Sequence, residues 1–157
     1  MKQIFFIICT IFTCVCTTDA QVTISTSDLA GTKWQTEFLY NDNSKSYDEY
    51  TQKGECIWHS DDNYILSFPY YLSSTIPTKF DTTKVGKNTK GCYIVEYNPK
   101  GKHLKIFSIQ HFNKTEGMMI LRCEDKDNIF AYGATETYLL MPINRARKPN
   151  PPVLPGW

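Results

Sequence analysis

From residue 33 to residue 141 the apolar side chains fall into short runs, parted by clusters of Asp, Asn, Ser, Gly and Pro. Residues 33–40 alternate, with Trp34, Phe38 and Tyr40 on one face and Lys33, Gln35 and Glu37 on the other. That is the signature of a half-buried strand, and the turn signal Asn41-Asp42-Asn43-Ser44 follows it. Residues 55–59 and 64–68 read as a hairpin around a tight turn at 60–63. Pro69 and Pro77 bracket residues 70–74, an edge strand or ordered loop, because Pro cannot donate to a ladder. Residues 81–91 form a polar connection. Strands are expected at 92–97 and 103–110, joined by a turn with Pro99 and Gly101 in fitting places. Runs at 118–123, 129–132 and 135–141 complete the set. No stretch sustains a period of 3.6 residues between caps, so little helix is expected.

Seven or eight strands with close-set turns describe an all-β, antiparallel up-and-down meander. Such a meander closes into a barrel or stacks as a sandwich. Consecutive hairpin connections favour an eight-stranded barrel, whose closure removes the exposed edges.

The two ends of the chain differ from this pattern. Met1-Lys2-Gln3 is a short positive region, residues 4–16 are apolar, and Thr18-Asp19-Ala20 offers small residues for cleavage after Ala20. These are the parts of a secretory signal peptide, and the apolar run is too short for a bilayer span, which takes about 20 residues. The expected organisation is a signal peptide at 1–20, a barrel domain at 21–144 and a basic, Pro-rich tail at 145–157. Export would place the mature chain in a periplasm or outside the cell, with no transmembrane segment. Lipid attachment at Cys14 or Cys16 is the less favoured alternative, since neither follows the usual small-residue run.

Composition narrows the function classes. The net charge is +1, and setting aside residues 1–20 removes one Lys and one Asp, so it does not change. No basic stripe marks a nucleic-acid partner. The aromatic share of 14% suits pleated, half-buried surfaces. Cys56, Cys92 and Cys123 remain after the signal, an odd number without metal-ligand spacing, so neither a zinc site nor an essential disulfide is expected. His103 and His111, eight apart on one strand, share a face about 26 Å apart, and His59 has no fixed relation to them. No nucleophile–base pair, paired carboxylates, GxSxG, HExxH or P-loop stands out. The reading is therefore no enzyme, no metal and no cofactor. Asn113-Lys114-Thr115 is an N-glycosylation sequon in a eukaryotic secretory pathway only, and Thr82 follows Asp81 in a short O-glycosylation-like acceptor.

Leu29-Ala30-Gly31-Thr32-Lys33-Trp34 resembles the opening of lipocalin-like (calycin-type) exported barrels, where a Gly-x-Trp on the first strand plugs the closed end. Here the spacing is Gly31-x-x-Trp34, one residue longer. Residues 70–95 are similar to small exported proteins of Bacteroidetes, and META-type domains share a Gly-Thr-x-Trp opening. The resemblance implies a barrel that binds a small apolar ligand without catalysis, with Trp34, Phe38, Tyr40, Tyr93 and Phe107 closing or lining it. The alternative is an envelope protein-interaction or inhibitor module working through loops or the Pro-rich tail. A cavity of about 300 Å³ or more lined by aromatics separates the two readings.

Overall fold

Alternating inward and outward side chains, carried on strands that pair mostly in sequence order, close this chain into a ring. The computed structural model describes residues 21–129 and 131–143; the expected signal segment and the Pro-rich tail lie outside the described residues. The elements are β1 (Ile24–Ser25), α1 (Thr26–Leu29), β2 (Thr32–Thr36), α2 (Glu37–Asn41), β3 (Tyr47–Tyr50), β4 (Glu55–His59) and β5 (Ile65–Ser73). After a 3-10 turn (Thr82–Lys84) come β6 (Lys90–Gly91), β7 (Tyr93–Asn98), β8 (His103–Asn113), β9 (Met118–Cys123) and β10 (Thr135–Leu140). Eight strands form a closed antiparallel barrel in the order β10-β2-β3-β4-β5-β7-β8-β9, and β1 pairs with β6 apart from it. The expected up-and-down, eight-stranded barrel is the fold observed.

The membership of the barrel differs from the sequence expectation in four places. The strand expected over 33–40 stops at Thr36, whose side chain accepts a hydrogen bond from Leu39 N and caps α2. Phe38 and Tyr40 therefore leave the face of Trp34. Residues 47–50, for which the sequence suggests no strand, form β3 between β2 and β4. Residues 129, 131 and 132 lie in turns rather than a strand. Lastly, β5 runs straight through Pro69. Residues Ile65 to Pro69 pair with β4 and residues Tyr70 to Ser73 with β7, so Pro69 sits at the handover and costs no β7 ladder bond.

A bulge sets one more correction. The register shifts between Ile109 and His111, so Ile109 opposes Leu121 while Phe112 opposes Met119. Phe112 thereby turns inward and His111 outward, and the spacing of eight no longer keeps His103 and His111 on one face.

One end of the barrel is filled. Leu29, Trp34, Tyr70, Ile94, Ile109 and Met119 are all buried there, with Ile24 and Val22 packed over them. Trp34 is fully buried, lies 5.8 Å from the Phe112 ring, and its Nε1 donates to Thr32 Oγ1 at 2.7 Å. Gly31 makes the entry with φ +78, and its N donates to Tyr50 O at 2.7 Å, a conformation that an L side chain resists. The segment 22–26 is tied across this end by Val22 N to Ile109 O and Thr26 N to Thr89 O.

Candidate functional site

The opposite half of the barrel is hollow. Following each strand's alternation from the plug toward the β2–β3, β4–β5, β7–β8 and β9–β10 connections, the inward positions change character. Trp58, Leu66, Phe68, Phe107 and Leu121, with Phe38 and Leu39 from α2, make apolar walls around a cavity of about 440 Å³. Its polar groups are Asp48, Tyr50, Cys56, Glu96, Glu136 and Tyr138, together with Lys105. A smaller cavity of about 140 Å³ adjoins it, sharing Lys105, Phe107, Leu121 and Glu136 and reaching Cys123 and Asp125.

Register explains why these polar groups meet. Glu96 stands opposite Tyr70 on one side and Lys105 on the other, Tyr50 opposite Cys56, and Asp48 opposite Trp34 and Trp58. Tyr50 Oη donates to Glu96 Oε1 at 3.3 Å, and Tyr138 Oη donates to Glu136 Oε2 at 3.1 Å. Lys105 Nζ lies 4.5 Å from the centroid of the Phe68 ring, close enough for a cation–π contact. Beneath this floor Tyr70 is fully buried, edge-on to Tyr50 at 5.0 Å, and its hydroxyl has no hydrogen-bond partner.

Burial dominates the electrostatics. It pushes the Asp48 carboxyl up to about 7, with Glu96 and Glu136 adding to the rise and Lys105 opposing it. Burial also raises Glu96, while Lys105 and the hydrogen bonds from Cys56 and Tyr50 pull it back. The Cys56 thiol and the Tyr50 and Tyr138 phenols are held well above their ordinary values, again by burial first. A thiol so placed is a poor nucleophile.

The histidines stand elsewhere. His59 is stacked on Tyr47 at 4.4 Å and hydrogen-bonded to Glu49 at 3.2 Å, and His111 reaches Glu116 at 3.2 Å. His103 Nε2 lies 2.5 Å from buried Asp125, and with Asp127 these side chains bring ligand-type atoms within 4.8 Å of one another. Asp125 Oδ1 also accepts from Asp127 N, so the trio ties the β9–β10 connection to the start of β8.

Of the five aromatics singled out from the sequence, Phe38 and Phe107 line the cavity. Trp34 is the plug at the far end, Tyr40 is buried in α2, and Tyr93 faces outward, where its hydroxyl accepts from Gln21 Nε2 at 3.0 Å. The charged floor was not among the sequence-derived candidates. Its signal was present as Glu96 and Lys105, charges that follow or precede the apolar residues Ile94 and Phe107 on the inward face of their strands. A further mark of this end is exposed apolar surface. Phe38 is 76% exposed, Tyr64, Ile129 and Tyr132 are exposed on the connections at the same end, and Ile65 is exposed at the start of β5. Compared with family models, with curated proteins and with solved structures, the chain matches none.

Proposed function

We propose that this protein is a non-catalytic binding module, a lipocalin-like barrel that is exported and takes up one small molecule through its open end. The observation that carries the reading is the cavity of about 440 Å³, bounded by aromatic and aliphatic walls and shut at its far end by Trp34. Ligand pockets commonly measure about 300–1,000 Å³ and combine apolar walls with a few placed polar groups. The exposed apolar lip supports the same reading, since a patch of that kind on a soluble domain usually serves recognition.

N-phenyl-1-naphthylamine, a neutral probe that brightens in apolar surroundings, tests it. The proposal expects saturable enhancement with one site per chain, abolished in Leu66→Trp, which fills the cavity. No saturable signal, or one indifferent to Leu66→Trp, counts against it. The export part is checked by an intact mass beginning at Gln21.

The exposed lip also favours a second reading, a protein-interaction module working through the same connections or through residues 145–157. Capture of envelope proteins that survives both Phe38→Ser/Ile129→Ser and deletion of 145–157 removes that reading.

A further inference from the structure

Resting on the binding reading above, we propose that the cavity selects molecules carrying a protonated amine on an aromatic or short aliphatic body. The ammonium sits against the carboxylates of Asp48, Glu96 and Glu136.

Three carboxylates line the cavity against a single ammonium, Lys105. Among the described residues, no Lys, Arg or His nitrogen comes within 4.0 Å of any of the three. Asp48 and Glu96 are held between apolar walls, where a carboxylate is costly unless an opposite charge joins it, and Glu136 stands exposed at the rim. The site accepts ammonium groups in another sense, because Lys105 Nζ already rests over the Phe68 ring at 4.5 Å. Trp58 and Phe107 place two further aromatic rings on the cavity wall. A separate sign of unmet polar capacity lies under the floor. Tyr70 is fully buried on the rung of Glu96, and its hydroxyl has no hydrogen-bond partner.

The choice of charge gives binding a pH dependence. Asp48 is faced by Tyr50 from its own strand, Cys56 from β4, Glu96 from β7, Lys105 from β8, and Glu136 and Tyr138 from β10. With its carboxyl at about 7, Asp48 is partly protonated near neutrality, and an arriving ammonium displaces that proton. Affinity for an amine therefore rises from pH 6 to pH 8, whereas affinity for a neutral body of the same shape does not.

The experiment titrates the purified protein calorimetrically with three indoles that differ only in the head group: tryptamine, neutral tryptophol and anionic indole-3-acetate. At pH 8 tryptamine is expected to bind about tenfold or more tightly than tryptophol, with indole-3-acetate weakest and the margin smaller at pH 6. Asp48→Asn keeps the size of the side chain and removes its charge, and should lower the ratio of tryptamine to tryptophol affinity at pH 8. Equal affinities for tryptamine and tryptophol, or tightest binding of indole-3-acetate, overturn the amine preference while the cavity reading stands. So does absence of tryptamine binding when N-phenyl-1-naphthylamine still saturates the protein. If neither the indoles nor that probe binds, the binding reading falls with it.

Discussion

Trp34 on β2 and Asp48 on β3 are directly opposed across one rung of the barrel, and they mark the boundary between its two halves. Trp34 is fully buried and belongs to the filled end, whereas Asp48 lines the cavity and has its carboxyl pushed up to about 7. The sequence step from one to the other crosses α2 and its connection, yet the register sets them side by side. Packing on one side and chemistry on the other thus meet at a single rung.

Asp48 should make stability depend on pH. Its ordinary value is 3.8, and the folded value is about 7. Below the lower value the carboxyl is neutral in both states and costs nothing. As pH rises toward 7 the unfolded chain ionises first, so the folded state loses stability, and the loss is complete above the folded value. The shift corresponds to roughly 4 kcal/mol as an upper bound, reduced by solvent at the mouth. Asp48→Asn is expected to stabilise the protein by about 1–3 kcal/mol at pH 8 and to be neutral near pH 3.5. Urea unfolding at both pH values checks this, and a gain of the same size at both contradicts it.

Trp34→Ala should open a void in the filled end and cost about 3–5 kcal/mol in urea unfolding. It also leaves Thr32 Oγ1 without its Trp34 Nε1 donor. A cost below about 1 kcal/mol, of the size typical for a surface change, would show that this end is not the core of the barrel.

Most of the architecture was legible in the sequence, and the misses share a cause. Alternation and turn residues identified β4, β7, β9 and β10 closely, because each is a short run rich in apolar and aromatic residues between turn residues. The strand β3 was hidden because its inward residues are Asp48 and Tyr50, and Tyr47-Asp48-Glu49-Tyr50 reads as a polar loop. An inward carboxylate looks the same in a hydropathy pattern as a turn residue. The converse error fell on residues 129–132, an apolar run taken for a strand, where Ile129 and Tyr132 are exposed on the connection at the open end. Both misreadings lie at the half of the barrel that carries the cavity, where local pattern and global fold part for functional reasons. The β8 bulge had no sequence signal beyond its own residues, so the outward turn of His111 could not be read in advance.

Phe38 separates binding from folding. It is 76% exposed and still lines the cavity. Phe38→Ser is therefore expected to change stability by no more than about 0.5 kcal/mol, while weakening the naphthylamine probe severalfold. A paired measurement of unfolding and probe titration decides, and a large loss of stability with unaltered probe affinity goes against this placement.

The cysteines should react unequally. All three described thiols are free; Cys56 and Cys123 are buried, and Cys92 is half-buried at the head of β7. Burial holds the Cys56 thiol well above its ordinary value, so it supplies little thiolate near neutral pH. Brief alkylation of the native protein, mapped by mass spectrometry, is expected on Cys92 first and on Cys56 only after unfolding. Early labelling of Cys56 contradicts the enclosed floor. Adding reductant should leave the melting temperature where it is.

The central claim is that the open half of the barrel, and not its surface or its filled end, receives a ligand. Amide chemical shifts recorded by two-dimensional NMR while N-phenyl-1-naphthylamine is added test it most directly. The account predicts saturable shifts concentrated at Thr36, Asp48, Trp58, Leu66, Phe107 and Glu136, with Leu29, Leu72 and Ile94 at the filled end unmoved. Shifts confined to the outer face or the filled end, or none at saturating probe, would contradict it.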